Sequence, residues 1–115
     1  MPDDGADDLD PVWRALASPI RRRILDLLRD GPKSTGEIAN EFPDLSRFAI
    51  MQHLLVLENG GLTMPRRQGR QKFHYLNPIP IQRIHDRWVS RYQQPWAEAL
   101  VSLKAELEDE AAEGA

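Results

Sequence analysis

Residues 34–76 read STGEIANEFPDLSRFAIMQHLLVLENGGLTMPRRQGRQKFHYL, and the succession of patterns inside that stretch decides the fold. Ser34 stands where a helix N-cap is expected, its hydroxyl able to accept from the backbone N–H three residues on while Glu37 reaches back, the two halves of a capping box. Ile38, Ala39 and Phe42 then give a short apolar face. Pro43 disfavours a helical Phe42 before it and ends the pattern, and Asp44-Leu45 makes the turn. Ser46 caps a further helix that runs to Asn59-Gly60-Gly61, where glycine tolerates the left-handed conformation of a helix end. Two helices joined by three or four residues have the spacing of a helix-turn-helix.

In the second of these helices Ile50, Leu54 and Leu57, flanked by Ala49 and His53, fall on one face and are expected in the core. By difference the outward face carries Arg47, Phe48, Met51, Gln52 and Leu55. Arg47 can offer a fork to guanine or phosphate and Gln52 can pair with an adenine edge. Three apolar residues make that face unusual for a groove reader. They suit thymine methyls, packing on the wing, or a partner protein.

Beyond Leu62, Thr63-Met64-Pro65-Arg66-Arg67 and Gln71-Lys72-Phe73-His74-Tyr75-Leu76 read as two strands joined at Gln68-Gly69-Arg70. Period-two alternation puts Phe73 and Tyr75 on one face and Lys72 and His74 on the other, the latter near phosphate. Arg66, Arg67, Arg70 and Lys72 gather about the hairpin tip. Following a helix-turn-helix, such a basic hairpin is read as a wing whose tip straddles a phosphate backbone or probes the minor groove.

Working outward, Val12, Trp13, Leu16 and Ala17 form the stripe of a short helix ending before Pro19. A second helix begins with Ser18 as N-cap and Pro19 at its first position and stops at Gly31-Pro32. Ile20, Ile24, Leu27 and Leu28 are its expected buried stripe, with Arg21, Arg22 and Arg29 in solvent. After Asn77-Pro78, Ile81, Ile84, Trp88 and Tyr92 recur at helical spacing. Pro95 predicts a kink or restart, after which Trp96, Leu100, Leu103 and Leu107 resume the stripe. Two Trp and a Tyr on one stripe exceed what so small a domain buries against itself, which points to a subunit interface.

The net charge of −3 conceals an uneven distribution. Five acids lie in residues 1–10 and five in residues 106–115, with no base in either, so residues 11–105 carry eight acids against fifteen Lys and Arg, a balance of +7. A basic body with acidic ends suits a polyanionic partner. The expected organisation is an acidic tail over 1–10, one domain over 11–107 and a second acidic tail over 108–115. With no cysteine, disulfides and thiolate metal sites are excluded. The absence of an apolar leader or a membrane-length run fits a cytoplasmic protein. His53, His74 and His85 lack the neighbours that acid-base or nucleophilic catalysis requires, so neither an enzyme nor a cofactor is expected.

The combination Leu16-Ala17-Ser18-Pro19-Ile20-Arg21-Arg22-Arg23-Ile24-Leu25, Leu45-Ser46, Gln52-His53-Leu54-Leu55-Val56-Leu57, Gly61-Leu62 and Gly69-Arg70 before Phe73-His74-Tyr75-Leu76 resembles the ArsR family of bacterial winged-helix transcriptional regulators. The likeness covers roughly residues 12–107. It implies a mainly α winged helix-turn-helix with a small β-hairpin and a long C-terminal dimerisation helix, forming a homodimer that binds double-stranded operator DNA. By the same resemblance Ser46, Arg47, Met51, Gln52 and His53 fall where the recognition helix meets DNA, and Arg66, Arg67, Arg70 and Lys72 fall in the wing. The first and last helices place Val12, Trp13, Leu16, Trp88, Tyr92, Trp96, Leu100 and Leu103 at the dimer interface. Phe48, Met51 and Leu55 depart from the family's usual Pro, Ser or Thr, and Lys. The metal-sensing members' Cys and paired His and Asp are not matched, since His85-Asp86 has no second histidine downstream, and any effector is unidentified. The expected function is a regulator, a repressor, acting on a pseudo-palindromic site. The alternative is a winged-helix protein-interaction module using Phe48, Met51 and Leu55.

Overall fold

The computed structural model describes residues 8–114, and their side chains except those of residues 90–95 and 114. In chain order the elements are α1 (Asp10–Leu16), α2 (Pro19–Leu28), β1 (Lys33–Ser34), α3 (Thr35–Asn40), α4 (Arg47–Asn59), β2 (Thr63–Gln68), β3 (Gln71–Leu76), α5 (Ile79–Ile84), a π-helical turn (His85–Val89) and α6 (Ser90–Gly114). The architecture is the mainly helical winged helix-turn-helix expected, with one small antiparallel sheet. The chain divides into two compact units, Met1–Gln82 and Arg83–Ala115.

Local chemistry accounts for the element starts in the first unit. Ser18 Oγ accepts from Arg21 N–H at 3.3 Å to open α2, with Pro19 at the first helical position. The capping box of α3 is complete: Ser34 Oγ accepts from Glu37 N–H at 3.1 Å, and Glu37 Oε1 accepts from Ser34 N–H at 3.0 Å. Those bonds to Ser34 favour the ionised carboxylate and hold the Glu37 pKa below its ordinary value. Ser46 Oγ accepts from Ala49 N–H at 3.0 Å and opens α4.

The far end of α4 closes with a Schellman motif. Gly61 N–H donates to Glu58 O at 2.9 Å and Leu62 N–H to Leu57 O at 3.0 Å, with Gly61 at φ +72°. Leu57 and Leu62, the apolar pair that accompanies this motif, are both fully buried. The glycine before them has a different task. Gly60 keeps an ordinary φ of −81°, but a Cβ there would lie 3.0 Å from the Pro11 carbonyl oxygen, so its missing side chain lets α1 cross close over the end of α4.

Ile24, Leu25 and Leu28 from α2, Ile38 and Phe42 around α3, and Ile50, Leu54 and Leu57 from α4 make the core together with Leu9, Val12 and Ala15 at the first helix. Several expectations are corrected here. Leu9 is only 2% exposed, so the stretch read as an acidic tail over 1–10 already contributes a core residue; residues 1–7 lie outside the described part. The buried positions of α1 are Val12 and Ala15, while Leu16 is half-buried and Ala17 exposed. In α2 Leu25 is buried where Leu27 was expected, and Ile20 and Leu27 are half-buried.

The sheet has three strands in the order β1-β3-β2, one more than the hairpin read from the sequence. β1 is two residues long, too short to leave an alternating pattern, and pairs Lys33 with His74 and Ser34 with Phe73. β2 and β3 pair from Thr63↔Leu76 to Gln68↔Gln71, leaving Gly69-Arg70 as a two-residue loop. Gly69 has φ +63° and Arg70 is not left-handed, the pattern of a type II′ hairpin.

In the second unit, α6 continues through Pro95, and the departure from α-geometry falls earlier, at His85–Val89. The kink or restart expected at Pro95 is therefore not found there. The helix also runs to Gly114, so residues 108–114, read as an acidic tail, are helical. Trp96, Leu100, Val101, Leu103 and Leu107 are all exposed on it.

Replacing Gly60 by alanine keeps an allowed backbone and adds one methyl against the Pro11 carbonyl. Overpacking of this kind is expected to destabilise the fold by about 1–3 kcal/mol in denaturant unfolding, with the helical circular dichroism of the native state retained.

Candidate nucleic-acid interface

The surface opposite the core face of α4 is assembled from three elements. α4 exposes Arg47, Phe48, Met51, Gln52 and Leu55, as its periodicity predicts. Strand register then sorts the wing residues. Arg67 and Lys72 are direct cross-strand partners and share the sheet face of the next in-register pair, Pro65 and His74. Arg66 pairs with Phe73 on the opposite face, so the four wing cations do not act as one cluster. Arg47, Met51, Arg67, Arg70, Gln71 and Lys72, with Ser34–Gly36, line a cleft of about 430 Å³ between α4 and the wing.

Two like charges placed directly opposite on a ribbon repel. One carboxylate answers them: Glu58, near the end of α4, has Oε1 3.3 Å from Lys72 Nζ and 3.8 Å from His74 Nδ1. His74 is not beside phosphate as expected. It is 1% exposed, with Nε2 2.8 Å from Thr35 Oγ1 at the start of α3. Burial lowers its pKa, Glu58 acts in the opposite sense, and Lys72 adds to the lowering. A neutral, buried imidazole thus joins the wing to α3 beside the carboxylate that joins it to α4. Phe73 and Tyr75, which share the other face of β3, are each half-buried.

Arg21, expected in solvent, is half-buried and fully engaged. Its Nε donates to Ala15 O at 2.9 Å, its Nη2 to Arg14 O at 2.8 Å, and its Nη1 lies 3.1 Å from His53 Nδ1. Because a guanidinium only donates, His53 Nδ1 accepts, and the ring is neutral with its proton on Nε2. Desolvation and the Arg21 charge both lower the His53 pKa, in agreement with that assignment. Arg22 donates to Leu16 O at 2.6 Å and Arg23 stands 5.1 Å over the Phe42 ring. Arg21 and the exposed Arg22 thus donate to carbonyls at the end of α1, while the exposed Arg23 stands against Phe42.

The remaining expected residues are placed as follows. Ser46 is exposed and caps α4, and His53 is half-buried at its edge. Val12 is packed inside its own unit, which removes it from any surface between subunits. Trp13 is exposed and Leu16 half-buried. Trp88 is half-buried beneath the Arg87 guanidinium at 4.6 Å, and Trp96, Leu100 and Leu103 are exposed. The side chain of Tyr92 lies outside the described residues.

Comparison with known proteins agrees with this geometry. A helix-turn-helix domain family matches residues 16–66. The HTH-type transcriptional regulator Rv2034 of Mycobacterium tuberculosis (strain ATCC 25618 / H37Rv) is 34% identical over 96 residues, spanning 81% of this chain and 89% of the relative. The transcriptional repressor SdpR of Bacillus subtilis (strain 168) is 35% identical over 71 residues, 62% of this chain and 78% of that protein. Among solved structures, the ArsR family transcriptional regulator RHA00566 superimposes with a TM-score of 0.70 at 30% identity, covering 79% of this chain and 98% of its own.

The lowered His74 pKa has a definite sign for stability. As pH falls through the ordinary histidine value of 6.5, the unfolded chain takes up a proton that the folded chain resists. The contribution is therefore complete above 6.5 and lost on acidification below it. Unfolding free energy measured at pH 7.5 and 5.5 should fall with acid in the native protein and fall less in His74→Gln; an equal drop in both excludes His74 as the titrating group.

Proposed function

The chain belongs to the ArsR-type winged helix-turn-helix transcriptional regulators, DNA-binding proteins that are not enzymes, and from that premise we propose that it works as a homodimeric repressor of a pseudo-palindromic operator. The observation that carries the reading is the cleft between α4 and the wing, where Arg47, Arg67, Arg70 and Lys72 converge beside the outward helix face. Helix α4 enters the major groove while the wing cations hold the flanking phosphates. Two copies related by a two-fold axis present their helices to successive major grooves about 34 Å apart. Occupying a promoter in the cytoplasm then excludes polymerase.

Within this assignment Arg47 is a phosphate or guanine contact, Arg70 a phosphate contact, Gln52 reads an adenine edge, and His53 offers its Nε2–H as a fixed donor. Arg66 contacts the backbone from the other side of the ribbon. Lys72, paired with Glu58, contributes less free charge than its neighbours. Dimerisation is assigned to the exposed apolar residues of α6, chiefly Trp96, Leu100 and Leu103, together with Trp13. No helix among the described residues is long and apolar enough to cross a membrane.

Four free cations per subunit, Arg47, Arg66, Arg67 and Arg70, give a dimer about eight phosphate contacts, so affinity should fall on the order of a thousandfold or more between 50 and 200 mM salt. Arg70→Ala is expected to weaken every duplex alike and flatten that salt slope, whereas Gln52→Ala relaxes preference at one base position. Binding that ignores salt, measured by fluorescence anisotropy, contradicts the reading.

Leu100→Asp places a charge in the proposed subunit interface. Sedimentation should show a shift from dimer to monomer, with operator affinity lowered at least about tenfold; a native protein that sediments as a monomer at micromolar concentration rules the dimer out.

A further inference from the structure

The outward face of α4 is short of hydrogen-bonding groups for a surface that meets base edges. Phe48, Met51 and Leu55 are 72%, 53% and 48% exposed, and among the five outward residues only Arg47 and Gln52 carry strong donors or acceptors. Met51 sits at the centre of this face. It lines the cationic cleft with Arg47, Arg67, Arg70 and Lys72, and also a second cleft of about 200 Å³ with Gln52, Leu55, Glu58 and His74. A partner for such a face carries dense negative charge and an apolar feature within a few ångströms of each other. Duplex DNA supplies both, because the thymine C5-methyl is the one apolar group on the floor of the major groove.

We propose that Phe48 and Met51 are specificity-determining residues that read thymine C5-methyl groups in adjacent base pairs. The inference rests on the DNA-binding reading above and adds which bases are chosen. Three residues apart on a helix, the two side chains are separated by about 4.5 Å along its axis, close to the base-pair step of about 3.4 Å. Their chemistry also works by exclusion. Set against guanine O6, cytosine N4 or adenine N6, a thioether or a phenyl ring displaces water from a polar atom and returns no hydrogen bond, which costs affinity. Gln52, beside Met51, favours adenine, whose partner is thymine, so neighbouring positions select the same class of pair. Each half-site is accordingly read as a short A·T step flanked by contacts to phosphate.

The test uses the full-length protein and a pool of random duplexes. Sites enriched by the native protein should carry thymine at adjacent positions in each half-site. Replacing those thymidines one at a time by deoxyuridine removes a single methyl and leaves the pairing edge intact. Loss of a buried methyl corresponds to about a fourfold weaker Kd at each reading position. In Met51→Ala and Phe48→Ala, whose sites are on the exposed helix surface and whose thermal melts verify the fold, the uracil effect should disappear at one position each. Enriched sites that bind equally well with uracil, or that lose the same factor in native and alanine proteins, overturn the inference while leaving DNA binding intact. That result directs attention to a protein partner for the apolar face. A pool that yields no enriched site removes the DNA-binding reading, and this inference with it.

Discussion

Taking Ile50, Leu54 and Leu57 out of water fixes the rotation of α4 about its own axis, and everything this surface presents follows from that rotation. A roll by one residue turns the helix by about 100° and would bring a different set of side chains outward. Apolar residues occur on both sides of α4, so hydrophobicity alone does not choose between them. The choice is reinforced by polar groups at the margin. Arg21 is held by two carbonyls at the end of α1 and in turn holds His53, so the helix is pinned at its edge as well as along its buried face.

The wing is held by the same logic with charges. Arg67 opposite Lys72 is an unfavourable pair for stability alone. Glu58 offsets part of that repulsion from a position on α4, and buried His74 meets Thr35 from the other side. What remains uncompensated is a set of arginines facing a cleft. A fold that tolerates such residual repulsion is organised for a polyanion, which supplies the missing charge on binding.

Much of this was readable in the sequence because strong local signals agreed with one another. Ser18, Ser34 and Ser46 announce helix starts, the Gly60-Gly61 pair announces a stop, and the face of α4 follows from spacing. What stayed hidden depended on partners distant along the chain. β1 is two residues long and exists only because β3 lies beside it. Alternation along β3 separates two faces without saying which is inward, and tertiary packing buries His74 between Thr35 and Glu58. Arg21 and Arg22 read as a solvated face until the carbonyls at the end of α1 are seen to need donors. Leu9 lies among aspartates, and its burial follows from packing and not from composition. The division of the wing cations into two faces likewise requires the register, since in sequence Arg66 and Arg67 are simply adjacent.

Glu58 leaves one mechanical legacy. By joining the ribbon to the far end of the helix it ties the position of the wing to that of α4 before any ligand arrives. If helix and ribbon grip one duplex as proposed, a mismatch in groove width is met by bending of the nucleic acid, and sequences that deform at low energetic cost are favoured even at base pairs the protein never touches.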